Sequence, residues 1–339
     1  MRVSLQLRTL LIALSGLFLA MTAGLRGGND PDYINYYDIY VSSQYSDFIT
    51  LNVEPFYFYF NKVFSLVGVP FIFITLLMAI PAVLLKMYVV YKHSHLALFS
   101  IIIYALTIYI SFDLIAVRQG LAIAFVMLAT SLWFRERLLA VTLVLGASLF
   151  HFSALIVLPI LYGMSSKWHK EIINISLFIV FFVSVFGVNI DILEVVKNIP
   201  LIPTFVIYKL EIYASYNQES TNSIKQFFVC IVAFFLYRVE SENVFIKNVC
   251  FLYTVGFLIS ILLSSIGDIA FRIKWYFFWG EIFFIPYILR IFILRLRAKN
   301  RNSIPLVIAL FGLVMIIMYL YPAINFINDI SSRGNSLIL

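Results

Sequence analysis

Apolar runs such as LQLRTLLIALSGLFLAMTAG (5–24) and FIFITLLMAIPAVLLKMYVVY (71–91) recur from one end of this chain to the other. A bilayer's hydrocarbon core is roughly 30 Å thick, and about 20 residues of α-helix cross it. Backbone immersed in lipid must satisfy its own N–H and C=O groups, which leaves only helices or closed barrels. The runs are continuous rather than alternating at period two, which fits barrel strands poorly. Composition agrees with lipid as the solvent: 63% of residues are hydrophobic, 12% are charged and the mean hydropathy is +0.99. Soluble domains carry roughly a quarter charged residues. The expected fold is all-α, a single polytopic integral membrane domain over 1–339 with no soluble domain.

Eleven spans are expected, at roughly 4–23, 69–91, 96–112, 118–134, 138–150, 152–164, 172–189, 225–238, 247–265, 275–294 and 304–321. The segments 138–150 and 152–164 are short for full crossings; they are either extended by their neighbours or paired in a tight hairpin around His151. The opening MRVSLQLRTLLIALSGLFLAMTAG has the charge and small-residue pattern of a signal peptide. With so many spans behind it, a first transmembrane helix is the simpler expectation. Charge then orients the bundle. With the N-terminus in the cytoplasm, 15 of the 24 basic residues fall inside, among them Lys86, Arg135 and the cluster RLRAKNR (295–301). The cluster is the strongest inside marker under the positive-inside bias, and of the 17 acidic residues 13 fall outside or near that face.

This topology leaves two long outer loops, 24–68 and 190–224. The first is rich in Tyr, Asp and Asn, and its second half, EPFYFYFNKVFSLVG (54–68), is aromatic and amphipathic enough to lie in the interface or re-enter the membrane. The second mixes aromatics with polar residues and has room for a short interfacial helix. Cytoplasmic connections are brief, so the chemistry must come from outer loops and helix ends. Cys230 and Cys250 lie inside apolar runs with no CxxC or Cys/His spacing, which marks them as packing residues.

Four outward places hold polar groups. RGGNDPDY (26–33) offers Arg26, Asp30, Asp32 and Tyr33, with two glycines that let backbone amides approach a ligand; a flexible polar loop is the plainer reading. DLIAVRQGLAIAF (113–125) places Asp113 at the end of the third span and Arg118, followed by Gln119, at the start of the fourth. A local Asp–Arg pair or a snorkelling arginine would account for it. Against that, a cation at an outer helix N-terminus opposes both the helix dipole and the charge bias, a conflict that an anionic ligand resolves. In LFHFSALIVLPILYG (149–163), His151 stands alone between apolar segments, either as a hydrogen-bonded packing residue or as a general base or phosphate donor. In SSIGDIAFRIKWYFFWGE (264–281), Asp268 and Arg272 have the spacing of an intrahelical ion pair. Lys274 adds a second cation, Trp275, Tyr276 and Trp279 an aromatic belt, and Glu281 a charge two turns into the tenth span.

Arg26, Arg118, Arg272 and Lys274 thus form a set of outward cations. Converging arginines bind phosphate oxygens bidentately and suit a pyrophosphate, while tyrosines and tryptophans stack on sugar rings. The chemistry this points to is a lipid-linked, phosphorylated saccharide at the outer face.

The ordered set RGGNDPDYINYY, DLIAVRQGLAIAF, LFHFSALIVLPILY and FRIKWYF resembles the EpsG-like branch of Wzy-type polysaccharide polymerases, which build O-antigen, capsule or exopolysaccharide chains. The resemblance covers most of the 339 residues. It departs at Asn29, which stands where a small hydroxyl residue is expected before the aspartate. The resemblance implies a GT-C-like helical architecture in a bacterial inner membrane and a glycosyltransferase working at the periplasmic face. That enzyme moves a growing glycan from undecaprenyl pyrophosphate onto a hydroxyl of an incoming lipid-linked repeat unit. By motif it carries Arg26, Asp30, Tyr33, Arg118, Gln119, His151 and Arg272 into the site, with Asp268 and Lys274 beside them. It implies no cofactor, metal or nucleic acid. Besides membrane lipid, the implied partners are the lipid-linked oligosaccharide, a chain-length regulator and a flippase.

The expected mechanism passes through a transition state of oxocarbenium character. Arg118 and Arg272, assisted by Arg26, would stabilise charge on the departing phosphate; His151 would serve as base, with Asp113 and Asp30 as rivals. The competing expectations are a flippase or transporter for lipid-linked oligosaccharide and an O-antigen ligase, with a membrane acyltransferase behind both. A flippase predicts charges facing a cavity at mid-membrane depth and repeat symmetry.

Overall fold

The computed structural model describes residues 5–28, 31–51, 53–187, 191–199, 207–208, 210–211, 214, 224–240, 242–299 and 301–336. Among them every regular element is helical. Five helices are long and apolar enough to cross a membrane: Leu5–Gly24, Phe71–His93, His169–Phe186, Val244–Leu262 and Ile304–Ile330. Gly267–Phe278 and Glu281–Arg297 together pass as a sixth, broken span, and four shorter apolar helices accompany them. The chain is a polytopic helical membrane protein. Each expected span coincides with helix except the tenth: 275–294 contains a break, where one helix ends at Phe278 and the next begins at Glu281. Glu281 therefore opens a helix instead of lying two turns inside one, and its carboxylate accepts a 2.6 Å hydrogen bond from the Tyr319 hydroxyl.

The chain divides into two compact units, residues 1–155 with 281–339, and residues 156–280. In the first unit the helices run α1 (Leu5–Gly24), α2 (Pro31–Ser42), α3 (Pro55–Leu66), α4 (Phe71–His93), α5 (Ala97–Tyr104), α6 (Val117–Leu132) and α7 (Arg137–Phe150). α5 continues as a π-helical stretch, Ala105–Asp113. α1 lies against α4 along a stripe of small residues, Gly16, Ala20 and Gly24, whose missing bulk lets the two backbones approach. A Cβ on Gly24 would stand 3.0 Å from the Leu76 Cα. At the other end of the pair, Arg8 donates to the carbonyls of Tyr91 and Ser94 at 2.7 and 2.6 Å. A cation is favoured among the last carbonyls of a helix.

The first expected outer loop is mostly helix. In YINYYDIY the tyrosines 33, 36, 37 and 40 recur at helical spacing, and α2 uses that face to pack on α3 and the start of α4. Tyr33 and Tyr37 meet Phe71 edge-on, at 5.2 and 5.6 Å between ring centroids. Gln44 ties the hairpin by donating to the Ser65 carbonyl and hydroxyl at 3.0 and 2.7 Å. Between α2 and α3, Asp47 accepts from the Thr50 amide and hydroxyl, which holds its carboxyl below its ordinary value.

In the second unit, Val244–Leu262 is the central helix, buried over most of its length. His169–Phe186, Ile224–Val239, Gly267–Phe278 and Val157–Met164 pack around it. Tyr253 stacks on Phe278 with centroids 4.6 Å apart. Cys230 and Cys250 are free and buried in this packing, as their apolar surroundings predict. A short helix, Ile192–Lys197, stands at the start of the second expected loop, its first amides capped by Asp191 at 3.0 and 3.2 Å. Most of the remainder of that loop lies outside the described residues.

One inner-side assignment is corrected. Lys86, counted above among the cytoplasmic cations, is fully buried in the bundle and forms a 2.5 Å ion pair with Asp113. It lies within α4, seven residues before its last residue, where lipid or protein and not water surrounds the stem. Only a carboxylate from another helix makes that position tolerable.

Candidate functional site

α6 begins with an N-cap residue, Ala116, whose side chain offers no hydrogen bond to the first amides. Arg118 sits in this uncapped first turn. Its guanidinium lies over two tyrosine rings, 5.4 Å from the Tyr36 centroid and 5.0 Å from that of Tyr57. Its Nη1 donates to a Glu54 carboxylate oxygen at 2.5 Å, both side chains being 19% exposed. Its Nε is buried without a hydrogen-bond partner among the described residues. Burial pushes both phenols up, against the opposing pull of the Arg118 charge, so the rings act as neutral cation–π faces and Glu54 supplies the negative charge.

The local Asp113–Arg118 pair is not how these groups are used. Asp113 turns into the bundle, where it accepts from Lys86 at 2.5 Å and from the Tyr104 hydroxyl at 2.6 Å. The Lys86 ammonium also donates to the Gly120 carbonyl at 2.8 Å. Gly120 permits this close passage: a Cβ there would stand 2.7 Å from both the Asp113 carboxylate and the Phe112 carbonyl. The end of the π-helical stretch and the first turn of α6 are thereby clamped together around Lys86. Gln119, between Arg118 and Gly120, is buried.

Arg26 extends from the end of α1 to the Ile115 carbonyl at 3.3 Å, and its guanidinium lies 5.8 Å from the Tyr33 ring centroid. It braces the turn that leads into Arg118. His151 follows the last residue of α7, and its Nδ1 is 2.6 Å from the Ser153 hydroxyl. The preceding Phe150 meets Phe56 edge-on at 4.9 Å, and Phe56 is two residues beyond Glu54. Aromatic packing therefore brings the His151 end of α7 to the α3 start that carries Glu54.

A profile of the EpsG family matches residues 9–331. The chain belongs to the EpsG family. No curated protein and no solved structure matches it. EpsG membership implies a membrane polysaccharide polymerase of a generally glycosyltransferase-like kind.

Within this EpsG-family chain, Arg26, Tyr33, Asp113, Arg118, Gln119 and His151 all belong to the first unit. Asp268, Arg272 and Lys274 belong to the second. There the expected ion pair forms, with Arg272 Nε 2.9 Å from Asp268 Oδ2. Lys274 is buried, its ammonium 4.8 Å from the Phe271 ring centroid, so it is no surface cation. Asp30 lies outside the described residues. Among the described residues, no group of three or more His, Cys, Asp or Glu side chains is placed to hold a metal ion.

Sequence reasoning overlooked Glu54, Tyr36, Tyr57 and Lys86. The signals for the first three were present: a Glu-Pro pair opening an aromatic helix, and tyrosines at helical spacing before it. Nothing in the spacing tied them to Arg118, which is 64 residues from Glu54.

Proposed function

We propose that this protein is a polysaccharide polymerase of the Wzy type. On this reading it moves a growing glycan from undecaprenyl pyrophosphate onto a lipid-linked repeat unit, at the periplasmic face of a bacterial inner membrane, with its N-terminus in the cytoplasm. The observation that carries the reading is Arg118: a partly buried guanidinium at an uncapped helix start, flanked by two tyrosine faces, in a chain of the EpsG family. A guanidinium in the uncapped first turn of a helix favours a phosphate, and tyrosine faces favour sugar rings next to it.

In the proposed reaction the acceptor hydroxyl attacks the anomeric carbon as the bond to the pyrophosphate breaks. Pyrophosphate is a good leaving group, so the protein's principal tasks are to stabilise negative charge on the departing oxygen and to take the hydroxyl proton. Arg118 performs the first task, with Arg26 holding the turn beneath it. His151 is the preferred base; its Nδ1 lies 2.6 Å from the Ser153 hydroxyl, a contact that orients the ring. Asp113 is the weaker rival because its carboxylate is already committed to Lys86 and Tyr104.

Replacement of His151 by alanine is expected to slow polymerisation by about 10²-fold, the lower end for a lost general base, with donor binding retained. Unchanged chain length and rate in membranes assayed with lipid-linked repeat units would remove His151 as the base. The function itself is tested by deleting the gene and resolving the surface glycan on a gel. The expected product is a core bearing a single repeat. Glycan-free core would identify a ligase instead, and lipid-linked units trapped facing inward would identify a flippase.

A further inference from the structure

Glu54 occupies the N-cap position of α3, yet its side chain caps nothing there: its carboxylate makes no hydrogen bond to the α3 amides. Its 2.5 Å bond goes to Arg118 on another helix. A carboxylate is the protein's nearest chemical counterpart of a phosphate oxygen, and Glu54 rests on the guanidinium that the proposed donor would need. Tyr36 and Tyr57 hold the fork from the ring faces, and one fork nitrogen, Nε, is buried without a partner among the described residues. An anion that engaged Nη1 and Nη2 together would grip the end of the fork bidentately, and it would take the Nη1 that Glu54 uses.

We propose that Glu54 is a displaceable counterion, and that the donor's pyrophosphate exchanges with it on Arg118. This rests on the reading of Arg118 as the donor site. Two anions cannot share one guanidinium at close range without repulsion, so the arriving phosphate releases the carboxylate. Released, Glu54 stands at the start of α3, where the first-turn amides and the positive end of the helix dipole accept a negative charge. In the empty state the ion pair keeps a partly buried arginine from being stranded. After transfer, return of Glu54 to Arg118 hastens departure of the pyrophosphate-bearing lipid. The exchange therefore makes Glu54 a determinant of how tightly donor and product are held.

The test uses the full-length chain in nanodiscs, with undecaprenyl pyrophosphate as the titrated lipid and inorganic pyrophosphate as the competitor. If the pair is closed about nine-tenths of the time, apparent affinity is lowered about tenfold. Glu54→Gln is therefore expected to bind the lipid about tenfold more tightly than the native chain and to release it more slowly, with Glu54→Asp in between. Arg118→Gln is expected to lose that binding in either background. Binding by Glu54→Gln that is no tighter than native, with Arg118→Gln still defective, discards the exchange and keeps Arg118 as the donor site. If Arg118→Gln binds as the native chain does, both fail. Helix content of each variant by circular dichroism, together with the Glu54→Asp series, separates weakened binding from misfolding. Competition by inorganic pyrophosphate shows whether the anion alone suffices or the lipid is also required.

Discussion

Arg118→Gln is expected to reduce polymerisation by about 10²- to 10³-fold, the range for loss of one donor aimed at developing negative charge. Glutamine retains a planar amide but neither the positive charge nor the two-pronged fork. Arg118→Lys restores the charge as a point on a flexible stem, so only part of the rate is expected to return. The measurement is the rate and length of glycan made in membranes supplied with lipid-linked repeat units. Full activity in the lysine variant would overturn bidentate recognition. One complication has a built-in control. Removing Arg118 also leaves the partly buried Glu54 carboxylate without its ion-pair partner, an effect separate from loss of the cation. The double variant Arg118→Gln/Glu54→Gln removes that stranded charge. If it stays inactive, the loss belongs to the missing cation; if activity returns, Arg118 served only to neutralise Glu54.

Lys86→Met is expected to destabilise the protein by about 3–5 kcal/mol, the cost of leaving one partner of a buried pair uncompensated. Lys86 and Asp113 have no exposed side-chain surface, so water cannot take over the lost contact. Tyr104 can still donate to Asp113, but a hydroxyl does not neutralise a carboxylate. Unfolding in mixed micelles monitored by circular dichroism measures the effect. The double variant Lys86→Met/Asp113→Leu is expected to recover much of it, because a matched apolar pair removes the stranded charge. A single variant within about 0.5 kcal/mol of native, the ordinary range of a surface substitution, would show that the pair is not a structural clamp. The consequence for function is positional. Lys86 holds Asp113 and Gly120 together, and Arg118 lies between those two positions in the chain.

The membrane fold was legible because hydrophobic length is a local property. A run of apolar residues reports its own solvent, whichever helix packs beside it. The broken tenth span escaped detection because FFWGEIFF remains apolar on both sides of Gly280, and hydropathy averages over such a break. α2 was hidden by its polar composition, although its tyrosine spacing was helical. Within the site, Arg118 and His151 stood out as polar groups at ends of apolar runs. Lys86 was read as an inner-side charge because position along a helix does not reveal an acid on another helix.

Residue order alone was enough for a helical membrane protein, the ordered motifs of its family, and Arg118 as a cation in need of an anion. Which anion of the chain itself meets it was decided by tertiary packing. The tyrosine face of α2, the start of α3 and the first turn of α6 converge through aromatic contacts that no short-range pattern encodes. That convergence separates two charges five residues apart, sending Asp113 to Lys86 and Arg118 to Glu54. Burial makes each of those choices binding, because an ion left unpaired away from water costs far more than a surface pair gains.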